Sequence, residues 1–316
     1  MAESGHQVGQ ESLYASEDGL KFGGYANAVY RRLPDSNKEL SLDELSMIVR
    51  WDGNSRFRFF GEFELERGFL WQEGRDFSHS DSKLDLERLY VDYNWSDTIN
   101  VRGGRFLTPV GRWNLIHAAP LVWTTLRPLS TSRLFPTSVN GAMLYGAAPL
   151  GDRAFEYSFY MEGLQDQDHD REEIQFKDVK GARFNLTGKV NWGLSLAEFT
   201  EDVPGTPKYR MLGLDFMTRQ HDWEFSGELF QRYNTANGDG GNGGYLQAVA
   251  PLGNGWYGIG RVENFKRPLE GSAERWVLGT AWRITPKRVL KMEYVGGDEN
   301  RVDAPKGFQA SFAILF

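Results

Sequence analysis

Cysteine is absent from all 316 residues, which excludes disulfide frameworks, thiolate metal sites and cysteine nucleophiles. No apolar run approaches the ~18 residues that a membrane-spanning helix needs, and mean hydropathy is -0.51. Those two features suit a water-soluble protein. A β-barrel escapes the test, however, because only alternate residues of its strands face lipid. The opening MAESGHQVGQ lacks a basic region followed by an apolar core. No signal peptide is therefore expected, and an exported protein would stand here in mature form.

Other deficits narrow the chemistry. The five histidines (His6, His79, His117, His169, His221) are dispersed without metal-ligand spacing, so neither a metal nor a cofactor is expected. No G-x-S-x-G elbow occurs. The adjacent pairs His79/Ser80 and His221/Asp222 would point to opposite faces of a strand, which leaves a barrel hydrolase as a minor alternative. Asp166, Asp168 and Asp170 resemble the start of a calcium loop, but Arg171 and Lys177 occupy the glycine and closing-glutamate positions. That segment reads as an acidic surface loop, with loose divalent-cation or lipopolysaccharide bridging as the alternative. The stretch NGDGGNGG at 237–244 lacks a following Lys-Ser/Thr and reads as a loop. A net charge of -7 argues against a nucleic-acid partner.

What is abundant is aromatic and glycine: 10 Trp, 13 Tyr, 21 Phe and 36 Gly. Aromatics favour strands and interfacial belts, and glycine favours turns and close approaches. Period-two alternation recurs from residue 20 to the end. In RFRFFGEFELE, Phe57, Phe59, Phe63 and Leu65 share one face; Arg56, Arg58, Glu62, Glu64 and Glu66 share the other. A soluble sandwich would alternate in the same way.

The spacing of breaks separates the two. Short polar turns at 52–55, 95–98, 150–153, 187–189, 219–222, 252–255 and 285–288 alternate with longer segments. The longer ones are about 31–41, 67–83, 108–140, 164–177, 200–208, 234–243, 266–273 and 297–306. Fifteen connections join sixteen strands of about ten residues each, sorted by length onto two sides. The expected fold is all-β: a closed antiparallel transmembrane barrel over 20–316, preceded by a periplasmic segment over 1–19. Arg56, Arg58, Glu62 and Glu64 would then line the lumen wall. Trp51, Trp95, Trp223, Trp256 and Trp282 all neighbour short turns, as an interfacial girdle would. The final strand GFQASFAILF ends in Phe316, the kind of terminal aromatic that outer-membrane assembly machinery reads. The surroundings are then a lipid bilayer with lipopolysaccharide. Gly and Ala on the lipid face of the first and last strands would suit a homotrimer contact.

Function is concentrated elsewhere. From Thr98 to Gly151 there is no Asp or Glu, while Arg102, Arg105, Arg112, Arg127 and Arg133 are present. The average acid density predicts about seven acids in such a window. Within it lies the longest connection, about 108–140, which also carries His117. Connections of that length are commonly functional. This one is too apolar for disorder, with Trp113, Trp123, Leu134 and Phe135 among its residues, so it should fold into the lumen. Its arginines would form an anion-attracting constriction, or would pair with Glu62, Glu64, Glu224 or Glu228 and anchor the loop.

The stretch VRGGRFLTPVGRWN, with TTLRPLSTSRLFP and NGAMLYG after it, resembles the third loop and flanking strands of the phosphate-selective porin family. The likeness covers about residues 98–163. It implies a sixteen-stranded, often trimeric channel for small anions. Phosphate-selective members carry a lysine cluster, and this segment has no lysine. The expected function is therefore a porin passing small solutes with anion preference. The alternatives are a plugged structural or partner-binding barrel, and the hydrolase.

Overall fold

A computed structural model of the protein describes residues 14–15, 19–34, 37–53, 56–165, 174–236, 238–268, 271–298 and 304–316. Asp166, Asp168, Asp170 and Arg171, and hence the calcium-like segment, lie outside the described residues, as do residues 1–13. A two-residue strand β1 (Tyr14–Ala15) precedes β2 (Leu20–Arg32), β3 (Glu39–Asp52), β4 (Phe57–Gln72), β5 (Lys83–Ser96) and β6 (Ile99–Leu107). A long loop with two single-turn helices, α1 (Trp113–Ile116) and α2 (Ser130–Arg133), leads to β7 (Ser138–Leu150) and β8 (Arg153–Leu164). Then come β9 (Phe176–Leu186), β10 (Val190–Glu201), β11 (Lys208–Gln220), β12 (Trp223–Asn234) and β13 (Asn242–Gly253). The last four are β14 (Trp256–Arg267), β15 (Gly271–Thr285), β16 (Arg288–Gly297) and β17 (Gly307–Leu315).

Each strand from β2 onward pairs antiparallel with its successor, and β17 pairs back onto β2 with Phe312 opposite Ala28. The sixteen long strands thus close on themselves, which satisfies every ladder without leaving an edge. The short connections are true hairpins. His221 and Asp222 both have positive φ, as do Asn254 and Gly255, the paired left-handed conformation whose twist matches flanking strands. The barrel closes on this short-turn side, where Phe316 exchanges main-chain hydrogen bonds with Gly24 of β2 at 2.9 and 3.0 Å.

Two expected long segments are shorter than their composition implied. The break expected over 67–83 begins only after Gln72. Arg67 adopts φ 46°, and the β3–β4 register slips between Leu42 and Glu44. The bulge sets Arg67 and Gly68 between Leu65 and Phe69, and that polar interruption made a continuing strand look like a loop. The segment expected over 266–273 is a connection of residues 268–270.

Outward positions are apolar, with Phe22, Met47, Phe63, Phe159, Leu214 and Leu246 all exposed, as a lipid-facing wall requires. Trp95 and Trp223 are exposed beside short turns, and Trp256 stacks on Trp282 at 5.3 Å. Trp51 is half-buried. Trp192, near the 187–189 turn, is a further exposed indole that position alone did not single out. The apolar core lies inside the barrel, between loop and wall. Val110, Leu129, Leu134 and Phe135 bury against Phe199, Phe230 and Phe265.

Candidate pore constriction

The loop over 108–137 leaves the wall through Thr108-Pro109-Val110-Gly111. Gly111 has φ 63°, and a Cβ there would collide with the Glu228 carboxylate. Glycine is therefore required by conformation and by space. Beyond it, the loop is fastened through its main chain to inward side chains of β10 through β17. Ser195 Oγ accepts from the Gly111 N–H at 3.1 Å, and Glu228 Oε1 accepts from the Trp113 N–H at 2.6 Å. Glu293 accepts from Thr125 N and Leu126 N, each at 2.9 Å, and Glu263 from Leu129 N at 2.7 Å.

Cations hold the carbonyls in the opposite sense. Lys291 Nζ donates to Ala119 O at 2.6 Å and to Thr124 O at 3.2 Å. Arg261 donates to Leu126 O at 2.9 Å, and Arg275 to Arg127 O at 2.7 Å. Trp123 Nε1 donates to Glu224 at 2.9 Å, while its ring packs 4.8 Å from that of Tyr257. A loop secured at so many buried polar points is a fixed part of the lumen rather than a mobile flap.

Apart from Glu224 and Glu228, these fasteners were not singled out from sequence. A signal was present: Arg261-Val262-Glu263 and Lys291-Met292-Glu293 set opposite charges two residues apart on one strand face. Such pairs are wasteful on a wetted wall and purposeful where something docks. On the wall itself, Arg183 pairs with Asp215 at 2.6 Å, and Glu201 with Arg232 and Arg267 at 2.5 and 2.9 Å.

Fastening the loop to β10–β17 leaves the remaining passage against β3–β7. A cavity of about 420 Å³ lies there. Glu44, Glu64, Glu66, Asp85 and Glu87 line its wall side together with Lys83. Arg127, Arg133 and His117 enter it from the loop, and Arg105 from β6. A third corner is apolar, formed by Phe135, Phe176 and Val179. His117 is mostly buried; its Nδ1 lies 3.1 Å from Asn114 O and its Nε2 3.5 Å from Glu87. Burial, with the Arg127 and Arg88 guanidiniums nearby, pushes His117 down to about 4.

The sequence-predicted residues thus fall into distinct places. Arg127 donates to Asn114 Oδ1 at 2.7 Å and to Thr131 O at 2.8 Å, so it braces the loop while lining the cavity. Arg105 donates to Asn140 at 3.4 Å. Arg112 is half-buried and its carbonyl accepts from Leu115 at 3.2 Å in the turn of α1. Arg102 lies nearer the short turns, bidentate on Asp92 at 2.7 and 2.9 Å and 3.6 Å over the Tyr90 ring.

Among the wall residues, Glu62 is buried between Arg88 and Ser46, and Glu64 accepts from Tyr25 at 2.8 Å. Arg58 lies 3.8 Å from Asp52 and is mostly exposed. Arg56 sits in the 53–56 turn, exposed, with its guanidinium 3.3 Å from Trp95 O; that is the rim, not the wall. Glu224 and Glu228 do anchor the loop, though through Trp123 and the Trp113 main chain. The paired hydrolytic candidates stay apart from this site. Ser80 Oγ contacts Ser78 Oγ at 2.7 Å, and His221 and Asp222 form an exposed turn.

No family model matches the chain. Over 143 residues, 44% of its length, it is 34% identical to an uncharacterized protein of Aquifex aeolicus (strain VF5), and the match spans 31% of that relative. The solved structure of OmpT of Vibrio cholerae superposes with a TM-score of 0.66 at 9% identity, covering 96% of this chain and 100% of that one. The anion-selective porin from Comamonas acidovorans superposes with a TM-score of 0.63 at 15% identity, covering 94% and 98%. The outer membrane channel DcaP of Acinetobacter baumannii gives 0.61 at 10% identity, covering 96% and 99%. At these identities the likeness is one of fold. The chain is a closed, sixteen-stranded antiparallel barrel of the porin type.

Proposed function

We propose that the protein is a porin of a bacterial outer membrane, passing small polar solutes by diffusion. The observation that carries this reading is the loop over 108–137, fastened to one half of the lumen so that a charged passage remains beside the other. The short-turn side, with the chain ends and residues 1–19, faces the periplasm. Three copies associate through the lipid-facing Gly and Ala of the first and last long strands, β2 and β17, in keeping with the resemblance over 98–163.

In the passage, guanidiniums from the loop and β6 stand against carboxylates from β3–β5. Confined charges of opposite sign on facing walls set a field across the passage that orients a dipolar solute. The arginines favour anions, and the carboxylates oppose them, so the resulting anion preference is modest. Reversal potentials across a planar bilayer under a salt gradient test this. Arg105→Gln and Arg133→Gln should each move selectivity toward cations; unchanged potentials in both would remove the arginines from the selectivity device. A plugged barrel is the second reading, supported by the number of loop fastenings. It would show no conductance at any voltage from correctly folded protein.

A further inference from the structure

The outer wall carries a cluster of charge on β9–β11, beside apolar lipid-facing residues. On β10 the outward series runs Trp192, Leu194, Leu196 and then Glu198. Glu198 pairs in register with Lys180 of β9 and with Arg210 of β11. Its carboxylate lies 3.1 Å from Lys180 Nζ, 3.3 Å from Lys208 Nζ and 3.0 Å from Arg210 Nε. The neighbouring Lys177 is matched by Asp202 at 2.6 Å. Three cations therefore surround one carboxylate, an excess of two positive charges. The cations remain open, with side chains 59%, 43% and 69% exposed, while Glu198 is 19% exposed.

Charges of this kind cannot sit in hydrocarbon. Lys or Arg on a barrel's lipid face is strongly disfavoured at the bilayer midplane and tolerated at the interface. The cluster lies toward the long-loop ends of its strands, so it marks the headgroup level of that leaflet. Below it the wall is hollowed. A groove of about 690 Å³ opens between Trp192, Leu214, Phe216, Leu246, Val262 and Trp276, floored by Gly227 and Gly244. It begins at Leu214, four residues along β11 from Arg210, or about 13 Å. Both glycines are needed for its depth. A Cβ at Gly227 would meet Leu246 Cδ2 at 2.7 Å, and one at Gly244 would meet Glu228 O at 2.6 Å.

We infer that this face is a binding site for a phosphate-bearing, multiply acylated lipid of the outer leaflet. The phosphate sits on Lys180, Lys208 and Arg210, and an acyl chain lies in the groove. Arg210 offers the paired donors that suit phosphate oxygens, and the lysines supply point charge. The adjoining apolar groove selects a lipid over free phosphate. Glu198 holds the three cations together and tempers their affinity. The site rests on the outer-membrane reading above, but it lies outside the lumen and is independent of conduction.

The test uses the whole chain in detergent micelles, titrated with purified bis-phosphorylated lipid A and followed by native mass spectrometry. Lys180→Gln, Lys208→Gln and Arg210→Gln should each weaken binding about fivefold, the weight of one surface cation against an anionic headgroup. Glu198→Gln should tighten it, a change that a folding defect would not produce. Leu214→Gln should weaken lipid A binding without altering any response to inorganic phosphate. If equimolar inorganic phosphate displaces lipid A, or if Glu198→Gln and the cation variants all bind as the parent does, the lipid site is overturned. Conductance measured on the same variants should match the parent. Its absence from every form would count against the channel reading alone.

Discussion

Glu228 and Trp113 are joined by a 2.6 Å hydrogen bond from the loop's main-chain N–H to the strand's carboxylate, across 115 positions of sequence. The same oxygen accepts from the Tyr245 hydroxyl at 2.9 Å, and the Trp113 and Tyr245 rings meet edge to face at 6.3 Å. One buried carboxylate thereby fixes where the loop turns inward. A charged acceptor on a buried donor contributes about 1.5–3 kcal/mol. Glu228→Ala should release the beginning of the loop while leaving the barrel ladder intact. The expected result is noisier single-channel current and faster proteolysis within 108–137, with little change in the barrel's unfolding midpoint. Glu228→Gln keeps one acceptor oxygen and should lie between. Quiet, protease-resistant channels from Glu228→Ala would show that the loop is held without it.

The carboxylate side of the passage predicts an effect opposite in sign to that of the arginines. Glu66 and Asp85 line the cavity from adjacent strands β4 and β5. Glu66→Gln and Asp85→Asn should shift the reversal potential toward anions, more strongly at low salt, where screening lengths exceed the width of the passage. A shift toward cations, or none at low salt, would mean that these side chains do not face the permeating ion.

The fold was legible because two independent periods coincided: alternation within strands and the sorting of connections by length. It blurred where a bulge broke the first. Arg67, left-handed, and Gly68 interrupt the apolar alternation between Leu65 and Phe69, so a strand whose Leu65, Phe69 and Trp71 keep one parity read as ending there. The site was legible in composition but not in pairing. The acid-free window pointed to the loop, and its apolar residues pointed to the lumen. Nothing along the chain could show that Arg102 is taken by Asp92, ten residues earlier and across one hairpin. Nor could it show that Glu293 reaches Thr125 N, because such partners meet only once the barrel closes. Arg56 shares parity with Arg58 yet lies in the turn, where parity loses its meaning.

His117 supplies a pH dependence with a defined sign. Its ordinary value of about 6.5 is pushed down to about 4 in the folded protein by burial and by Arg127 and Arg88. Above about pH 6.5 the ring is neutral whether the chain is folded or not. As pH falls toward 4, the unfolded chain takes up the proton first, so the folded state loses stability across that window. Around pH 4 the folded protein is protonated as well, which adds a positive charge to the passage. Anion preference should therefore step upward near pH 4. His117→Gln should remove that component of the step and reduce the acid sensitivity of unfolding. An unaltered pH profile of both selectivity and unfolding in the variant would assign the acid response to other groups.

The closing seam predicts how the last residue acts. Phe316 continues β17 by exchanging two main-chain hydrogen bonds with Gly24, and a Cβ added at Gly24 would lie 3.0 Å from the Phe316 ring. The ring therefore covers a glycine on the first long strand, shielding main chain that no side chain there protects. It also remains 38% exposed on the lipid side, where an assembly factor or lipid can meet it. Phe316→Ala keeps the hydrogen bonds but uncovers the seam. A cost on the order of 2 kcal/mol is expected from the lost packing. Deleting Phe316 removes the hydrogen bonds too and should cost more. Heat-modifiable gel mobility after refolding into lipid vesicles reads the outcome. The expected order of folded yield is parent, then Phe316→Ala, then the deletion, with the same order in cells if assembly reads the seam itself. If refolding in vesicles is equal for all three while yield in cells collapses, the ring serves recognition by the assembly machinery rather than closure of the barrel.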